Sequence, residues 1–429
     1  MLRVMVLALL IALAGCHRQA NAPGDAPSNL QVEPGEGRVT VSWDQLPGLT
    51  YWIFFHEGSS VTARDPTVPL IFDVHSPFVV AGLKNDVEHA FVMNATDRDS
   101  PGGPSTPVVT AVPRLAGATW ISGVPLGPQN LNGVAYNSVL NKIVAVGDAA
   151  ILLVGDANYT STNPNPPGVT AWTPATSIPA GFASDLSAVM FSVNQFIALG
   201  TDGSILTSPD GNTWTSAASI PSGGAAGPRM NSIAFGTVSG ATIYVAVGDS
   251  GNIFTSADLA TWTTVSAAGD DLYNVSFLND TFVATGASGT LLTSPDASMW
   301  TPQISNTPNA LRGVTYGTGT ATGASAQYVV VGDSGTIVTS TNGMDWGVTT
   351  LPGFPNLRAI GFGSRFVAVG QEATIGQGSV AYSDDASHWS LSSVPGFPPG
   401  SPTPDLASII FTPGMYLAVG LSGANAVSR

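Results

Sequence analysis

From about residue 115 to the end of the chain, short apolar runs alternate with clusters of Gly, Asp, Ser and Asn. The clearest copy runs Leu272-Tyr273-Asn274-Val275-Ser276-Phe277, then Thr281-Phe282-Val283-Ala284-Thr285-Gly286, then Gly289 to Ser294, before Trp300 opens a further segment. Runs of this length, rich in β-branched and aromatic residues and bounded by turn formers, predict β-strands joined by tight turns. The tryptophan recurs as Trp120, Trp172, Trp214, Trp262, Trp300, Trp346 and Trp389, and the glycine closing the second segment as Gly147, Gly200, Gly248, Gly286, Gly332, Gly370 and Gly420. Both markers count to the same number, at a period of roughly 40 to 50 residues, which is the mark of a propeller or another repeat architecture.

A four-stranded unit of this size cannot bury enough surface alone, so the units are expected to stack around an axis. Each tryptophan buries on the order of 150–250 Å², which suits a pin between neighbouring units. The last copy, Leu406 to Arg429, supplies three strands and stops before any tryptophan, whereas Trp120 arrives with no strands ahead of it. Pairing the Trp120 segment with the C-terminal strand closes the ring and leaves no long sheet edge. The expectation is a seven-bladed β-propeller over residues 114–429, closed by strands from both of its ends.

Before each of five tryptophans stands a Ser six residues upstream, with Asp or Asn two residues after it, as in Ser208-Pro209-Asp210-Gly211-Asn212-Thr213-Trp214. This turn resembles a shortened Asp-box, the repeat of sialidases, xyloglucanases, sortilin and photosystem II assembly-factor propellers. The box is a structural hairpin of enzymes and scaffolds alike, so the resemblance speaks for fold more than for activity.

Residues 27–113 carry another pattern, with Leu30 and Val32, Val39 to Trp43, Tyr51 to Ile53, Leu83, Phe91 to Ala95 and Pro107 to Pro113. It resembles a fibronectin type III domain, a β-sandwich with a buried Trp on an early strand. His89 stands where that family has its corner tyrosine, and no Arg-Gly-Asp loop is present. A spacer role is expected of it. Overall the fold class is all-β, a fibronectin type III-like β-sandwich followed by the propeller.

The N-terminus speaks to location. Residues 1–15 have a basic n-region at Arg3 and an apolar stretch ending in Leu13-Ala14-Gly15-Cys16, which resembles the lipobox of bacterial lipoproteins. The resemblance implies that Cys16, the single cysteine of the chain, is lipidated and anchors the protein, with residues 16–26 as a flexible tether. His17 follows it in place of the Asp that in such lipoproteins bears on export. The expected location is the bacterial cell envelope, at the outer membrane, with the membrane engaged through the N-terminal lipid.

Charge narrows the partners. The chain has a formal net charge of −15, and residues 115–429 hold 17 Asp and Glu against 6 Lys and Arg. Such a surface repels phosphate backbones, so no nucleic acid is expected. Gly248-Asp249-Ser250-Gly251 and Gly332-Asp333-Ser334-Gly335 look like a serine-protease nucleophile segment, yet both fall at the turn after the recurring glycine, and the propeller's one histidine, His388, lies in a box turn. No catalytic triad, metal or cofactor is expected.

In propellers the innermost strand starts at the face that carries ligand sites, which places Asn130, Asn132, Asp185, Arg229, Asn231, Asp271, Tyr273, Arg312, Arg358 and Asp405 around the mouth of the channel. The candidate binding face is Asn132, Arg229, Asn231, Asp271, Tyr273, Arg312, Arg358 and Asp405. The expected function is non-catalytic: a monomeric, lipid-anchored binding or scaffold protein that recognises an envelope protein or a glycan. The alternative is a lipid-anchored glycoside hydrolase or lyase, in which Asp271 and Asp405 act as acid and as nucleophile or base, with Tyr273 beside them. Against a sialidase stand the missing Arg-Ile-Pro motif and the single propeller glutamate, Glu372. The N-terminal strand is expected to enter from the box-turn face, and the enlarged turn from Asp156 to Pro167 to touch the fibronectin-like domain.

Overall fold

The computed structural model describes residues 24–428 apart from 64, 98–100, 158–171, 222–227, 268, 355, 372–378, 396–404 and 413. Cys16, the N-terminal apolar stretch, Glu372 and most of the Asp156 to Pro167 turn lie outside the described residues. The chain forms two compact units, one ending at Leu115 and the other beginning at Ala116. No helix among the described residues is long and apolar enough to cross a membrane.

Among the described residues of the first unit the chain forms seven strands: β1 (Gln31–Gly35), β2 (Arg38–Ser42), β3 (Thr50–Glu57), β4 (Leu70–Phe72), β5 (Phe78–Ala81), β6 (His89–Thr96), buried at every position, and β7 (Val109–Ala111). They form two sheets, ordered β1-β2-β5 and β4-β3-β6-β7. Val39 and Val41 of one sheet and Ile53, Phe91 and Met93 of the other share a buried core with Trp43, whose ring lies 5.4 Å from that of Tyr51. His89 is buried, and its Nδ1 lies 2.8 Å from the carbonyl oxygen of Val87. A carbonyl only accepts, so Nδ1 carries the proton, and the imidazole ties down the start of β6 by that bond.

The second unit contains seven four-stranded antiparallel sheets among the described residues. Their first strands are Leu131–Asn137, Leu186–Ser192, Met230–Val238, Leu272–Leu278, Leu311–Thr318, Asn356–Phe362 and Leu406–Thr412. Each packs against the next, and Leu406–Thr412 packs against Leu131–Asn137, so these strands line a closed ring. This is a β-propeller. In the last sheet, Ile121–Ser122 pairs with Asn425–Ser428 at the outer edge, which brings the chain into the propeller from the box-turn end.

Six of the seven repeat tryptophans sit between sheets. Trp214 shares a core with Val144 and Val154 of the first sheet and Phe196 of its own. Trp262, Trp300, Trp346, Trp389 and Trp120 repeat the arrangement one sheet further on each time, and Trp120 packs on Val367 and Val380 of the sixth sheet and Tyr416 of the seventh. The box turn aims the ring. Asp210 Oδ1 accepts the backbone N–H of Asn212 at 2.8 Å and of Thr213 at 2.9 Å, Ser208 Oγ accepts that of Gly211, and Trp214 Nε1 donates to the Gly211 carbonyl at 2.7 Å. The recurring glycine has a different cause: a Cβ at Gly147, Gly248, Gly286, Gly332, Gly370 or Gly420 would lie only 1.8–2.2 Å from the carbonyl oxygen of the residue just before the first apolar position of the inner strand. The chain passes there too closely for any side chain.

Candidate binding site at the channel mouth

Each inner strand breaks register one residue after its first apolar position. Leu272 faces Gly286 and Asn274 faces Thr285, so Tyr273 has no partner, and the same slip isolates Asn132, Ser187, Asn231, Arg312, Arg358 and Ala407. A β-bulge re-aims the extra side chain, and here it does so once per sheet. All of these positions except Ala407 have a side chain able to hydrogen-bond. All seven line a cavity of about 310 Å³ that runs along the inner strands, within the size range of ligand sites. The next residue is small in six of the seven, as Gly133, Ala188, Ser232, Gly313, Ala359 and Ser408, and a Cβ on Gly313 would already lie 3.1 Å from the Ala359 Cα.

Of the eight residues placed on the binding face by sequence, Asn132, Asn231, Tyr273, Arg312 and Arg358 line the cavity, whereas Arg229, Asp271 and Asp405 do not. Those three precede the bulge. Asp271 Oδ1 accepts the N–H of Ser250, 2.8 Å away on the preceding sheet. Asp185, Asn356 and Asn130 hold Ala149, Ser334 and Ser422 in the same way, each at the positive-φ residue of the neighbouring turn. They act as latches between sheets. Asp405 is nearly buried and receives Arg358 Nε and Nη2, both at 2.6 Å. Arg229 is exposed at the rim, and its Nε lies 3.3 Å from Asn231 Oδ1.

Sequence reasoning passed over two sets of residues. Ser187 and Ala407 complete the ring but carry no chemistry that singles them out. Asp148, Asp249 and Asp333 stand behind the ring in alternate sheets, where Asp148 holds Asn132, Asp249 holds Asn231, and Asp333 grips Arg312 through Nε at 2.6 Å and Nη2 at 2.9 Å. The signal was the Asp that follows the recurring glycine in the first, third and fifth copies. The Gly-Asp-Ser-Gly segments are turns, as expected, with Ser250 at φ 57° and Ser334 at φ 56°.

The three residues of the hydrolase alternative are each engaged. Asp271 caps a turn and Asp405 is paired on both oxygens, while burial pushes the Tyr273 phenol up from its ordinary range, with the Arg312 guanidinium 4.9 Å from its ring centre pulling the other way. A phenol shifted upward is a poorer nucleophile near neutral pH. The hydrogen bond and charge of Asp333 hold the Arg312 guanidinium more firmly protonated. The arrangement is that of a preorganised polar rim.

No family model matches the chain, and no curated protein does. Solved structures share its fold. YCF48 bound to a D1 peptide superposes with a TM-score of 0.52 at 16% identity, covering 72% of this chain and 96% of that one. YCF48 from Cyanidioschyzon merolae gives 0.51 at 16% identity, covering 72% and 98%. At this identity the likeness is one of fold, and it agrees with the β-propeller described above.

Proposed function

We propose that the protein is a lipid-anchored component of a bacterial cell envelope, at the outer membrane, whose seven-bladed propeller binds another protein at the channel mouth without catalysis. The bulge that turns one side chain of every sheet into the same cavity carries this reading. A ring repeated so regularly, with its amides and guanidiniums fixed by Asp148, Asp249, Asp333 and Asp405, is preorganised for contact with a ligand. The blade count is supported by the seven sheets in cyclic order and by the closing strand at Ile121–Ser122. The sandwich order β1-β2-β5 and β4-β3-β6-β7 supports a fibronectin type III-like spacer. Cys16 lipidation rests on the sequence of residues 1–16. A protein partner is favoured over a glycan because one of the similar propellers is described as bound to a peptide.

Truncating Arg312 or Arg358 is a poor test, since it strands Asp333 or Asp405 without a counter-charge. Ala407→Trp plugs the mouth and breaks no ion pair, and Thr213→Trp on the box-turn end is its control. Cross-linked partners from the native envelope, identified by mass spectrometry, should be lost with Ala407→Trp and kept with Thr213→Trp. Turnover on a glycan panel that disappears in Asp405→Asn or Asp271→Asn would overturn the non-catalytic reading.

A further inference from the structure

We infer that the arc of the mouth formed by Asn132, Ser187 and Asn231 receives a lysine or arginine side chain of the partner protein; this rests on the protein-binding reading above. The direction of the hydrogen bonds is what carries it. Carboxylates and backbone carbonyls only accept. The Asn132 amide lies between Asp148 Oδ1 at 2.8 Å and the Leu186 carbonyl at 3.0 Å, so its nitrogen faces both and spends both hydrogens. Asn231 is held identically, between Asp249 Oδ1 at 2.9 Å and the Leu272 carbonyl at 2.8 Å. Ser187 spends its hydroxyl hydrogen on the Leu199 carbonyl at 3.2 Å.

Only lone pairs remain on that arc: Asn132 Oδ1, Ser187 Oγ and Asn231 Oδ1. A ligand there must donate. Charge selects among donors, because Asp148 and Asp249 stand directly behind the two amides, and Asp185 flanks Ser187 with no guanidinium or ammonium paired to any of the three among the described residues. On the facing arc, Arg312 and Arg358 are each neutralised by a bidentate carboxylate. Against the three carboxylates stands one cation, Arg229 at the rim, so the arc over the first three sheets keeps a net negative charge. The chain itself supplies a model of the contact: the guanidinium of the exposed Arg229 already reaches Asn231 Oδ1 at 3.3 Å. A neutral donor such as a glutamine amide would satisfy the geometry but gain nothing from the three carboxylates.

The test uses the full chain and fluorescence anisotropy with blocked Gly/Ser peptides carrying arginine, lysine, glutamine or glutamate at alternate positions. The arginine and lysine peptides should bind at least about tenfold tighter than the glutamine peptide. Because any cationic peptide is drawn to an acidic protein, two variants with the same change of net charge decide the matter. Ser187→Lys places a tethered ammonium in the arc and should weaken binding at least about tenfold, whereas Thr213→Lys at the box-turn end should leave it within about twofold. Arg229→Ala removes the internal competitor and should tighten it, a gain that damage to the fold would not produce. Equal loss in both lysine variants, or no preference for the cationic peptides, overturns the inference. If instead a glutamate or glutamine peptide binds best and is lost with Ala407→Trp, the protein-binding reading stands and the cation inference falls. If Ala407→Trp spares every native partner, it is the mouth itself that has been misassigned.

Discussion

Asp385 and Asn342 occupy the same box-turn position in neighbouring sheets and perform the same task with different charge. Asn342 Oδ1 accepts the N–H groups of Met344 and Asp345, both at 2.9 Å, as Asp385 Oδ1 accepts those of Ser387 at 2.8 Å and His388 at 2.7 Å. Asp385 has a further ligand in His388, whose Nδ1 is 2.7 Å from Oδ2. Burial works against its ionised form, but the His388 side chain and the turn N–H groups outweigh it and hold the carboxyl at about 2. The same contact raises the exposed His388 imidazole. A depressed carboxyl stabilises the fold above its unfolded value and loses that contribution as pH falls from about 4 towards 2, roughly 1 kcal/mol here after discounting for solvent screening. The raised imidazole acts in the opposite sense, contributing at low pH and losing its share as pH rises through its folded value. Because Asn342 shows that an amide keeps the turn, Asp385→Asn isolates the charge: the NMR titration midpoint of His388 should fall towards that of a free imidazole, with the turn's amide protection unchanged. At this scale Asn132, Asn231, Tyr273, Arg312 and Arg358 were legible, since each follows the first apolar residue of its strand, whereas Ser187 at the same position was passed over. The commitment of each hydrogen was not, because Asp148 lies sixteen positions from Asn132 and nothing local signals the bond.

The box turn shows how an element tolerates exceptions to its own rule. Its fourth position has positive φ throughout, at Gly211 (80°), Leu259 (61°), Ala297 (63°), Gly343 (74°) and Ala386 (61°). The left-handed region costs a non-glycine residue roughly 1–2 kcal/mol. A methyl group on Gly343 would lie 3.4 Å from Tyr328, an ordinary contact, so Gly343→Ala should cost about 1 kcal/mol from the backbone alone. Ala386→Gly relieves that strain but gives up a buried methyl and adds freedom to the unfolded chain, so it should come out within about 0.5 kcal/mol of neutral. Urea unfolding of both variants checks the pair, and a large loss in the second would show that the turn is not strained there. The strands and turns were readable because alternation and turn chemistry are local. The bulges were not, since a bulge is a relation between two strands, and Leu-Tyr-Asn-Val reads as ordinary alternation until Thr285 and Gly286 are laid beside it.

For the molecule as a whole, closure depends on a small contact between the ends of the propeller. The buried Ser428 hydroxyl accepts the N–H of Gly117 at 2.7 Å and donates to the Thr119 carbonyl, while Gly123 N–H reaches the Asn425 carbonyl at 2.8 Å. Ser428→Ala strands two backbone groups at once and should cost about 1–3 kcal/mol, whereas the exposed Ser216→Ala should stay within about 0.5 kcal/mol; a thermal melt in which the two behave alike would show that the ring is sealed elsewhere. The pairing of the two ends was legible from the missing tryptophan of the last copy. The latches at the mouth raise a matter of parity. Among the described residues, the turns of the first, third, fifth and seventh sheets are held by a residue of the next sheet round. An alternation of two cannot close evenly over seven. The mismatch falls where the seventh sheet meets the first, and there Asn130 grips Ser422 while Asp185 of the second sheet grips Ala149 of the first. The first sheet is thus tied on both flanks, and the seam between the two chain ends is fastened twice, at the outer rim by the closing strand and at the axis by the odd latch.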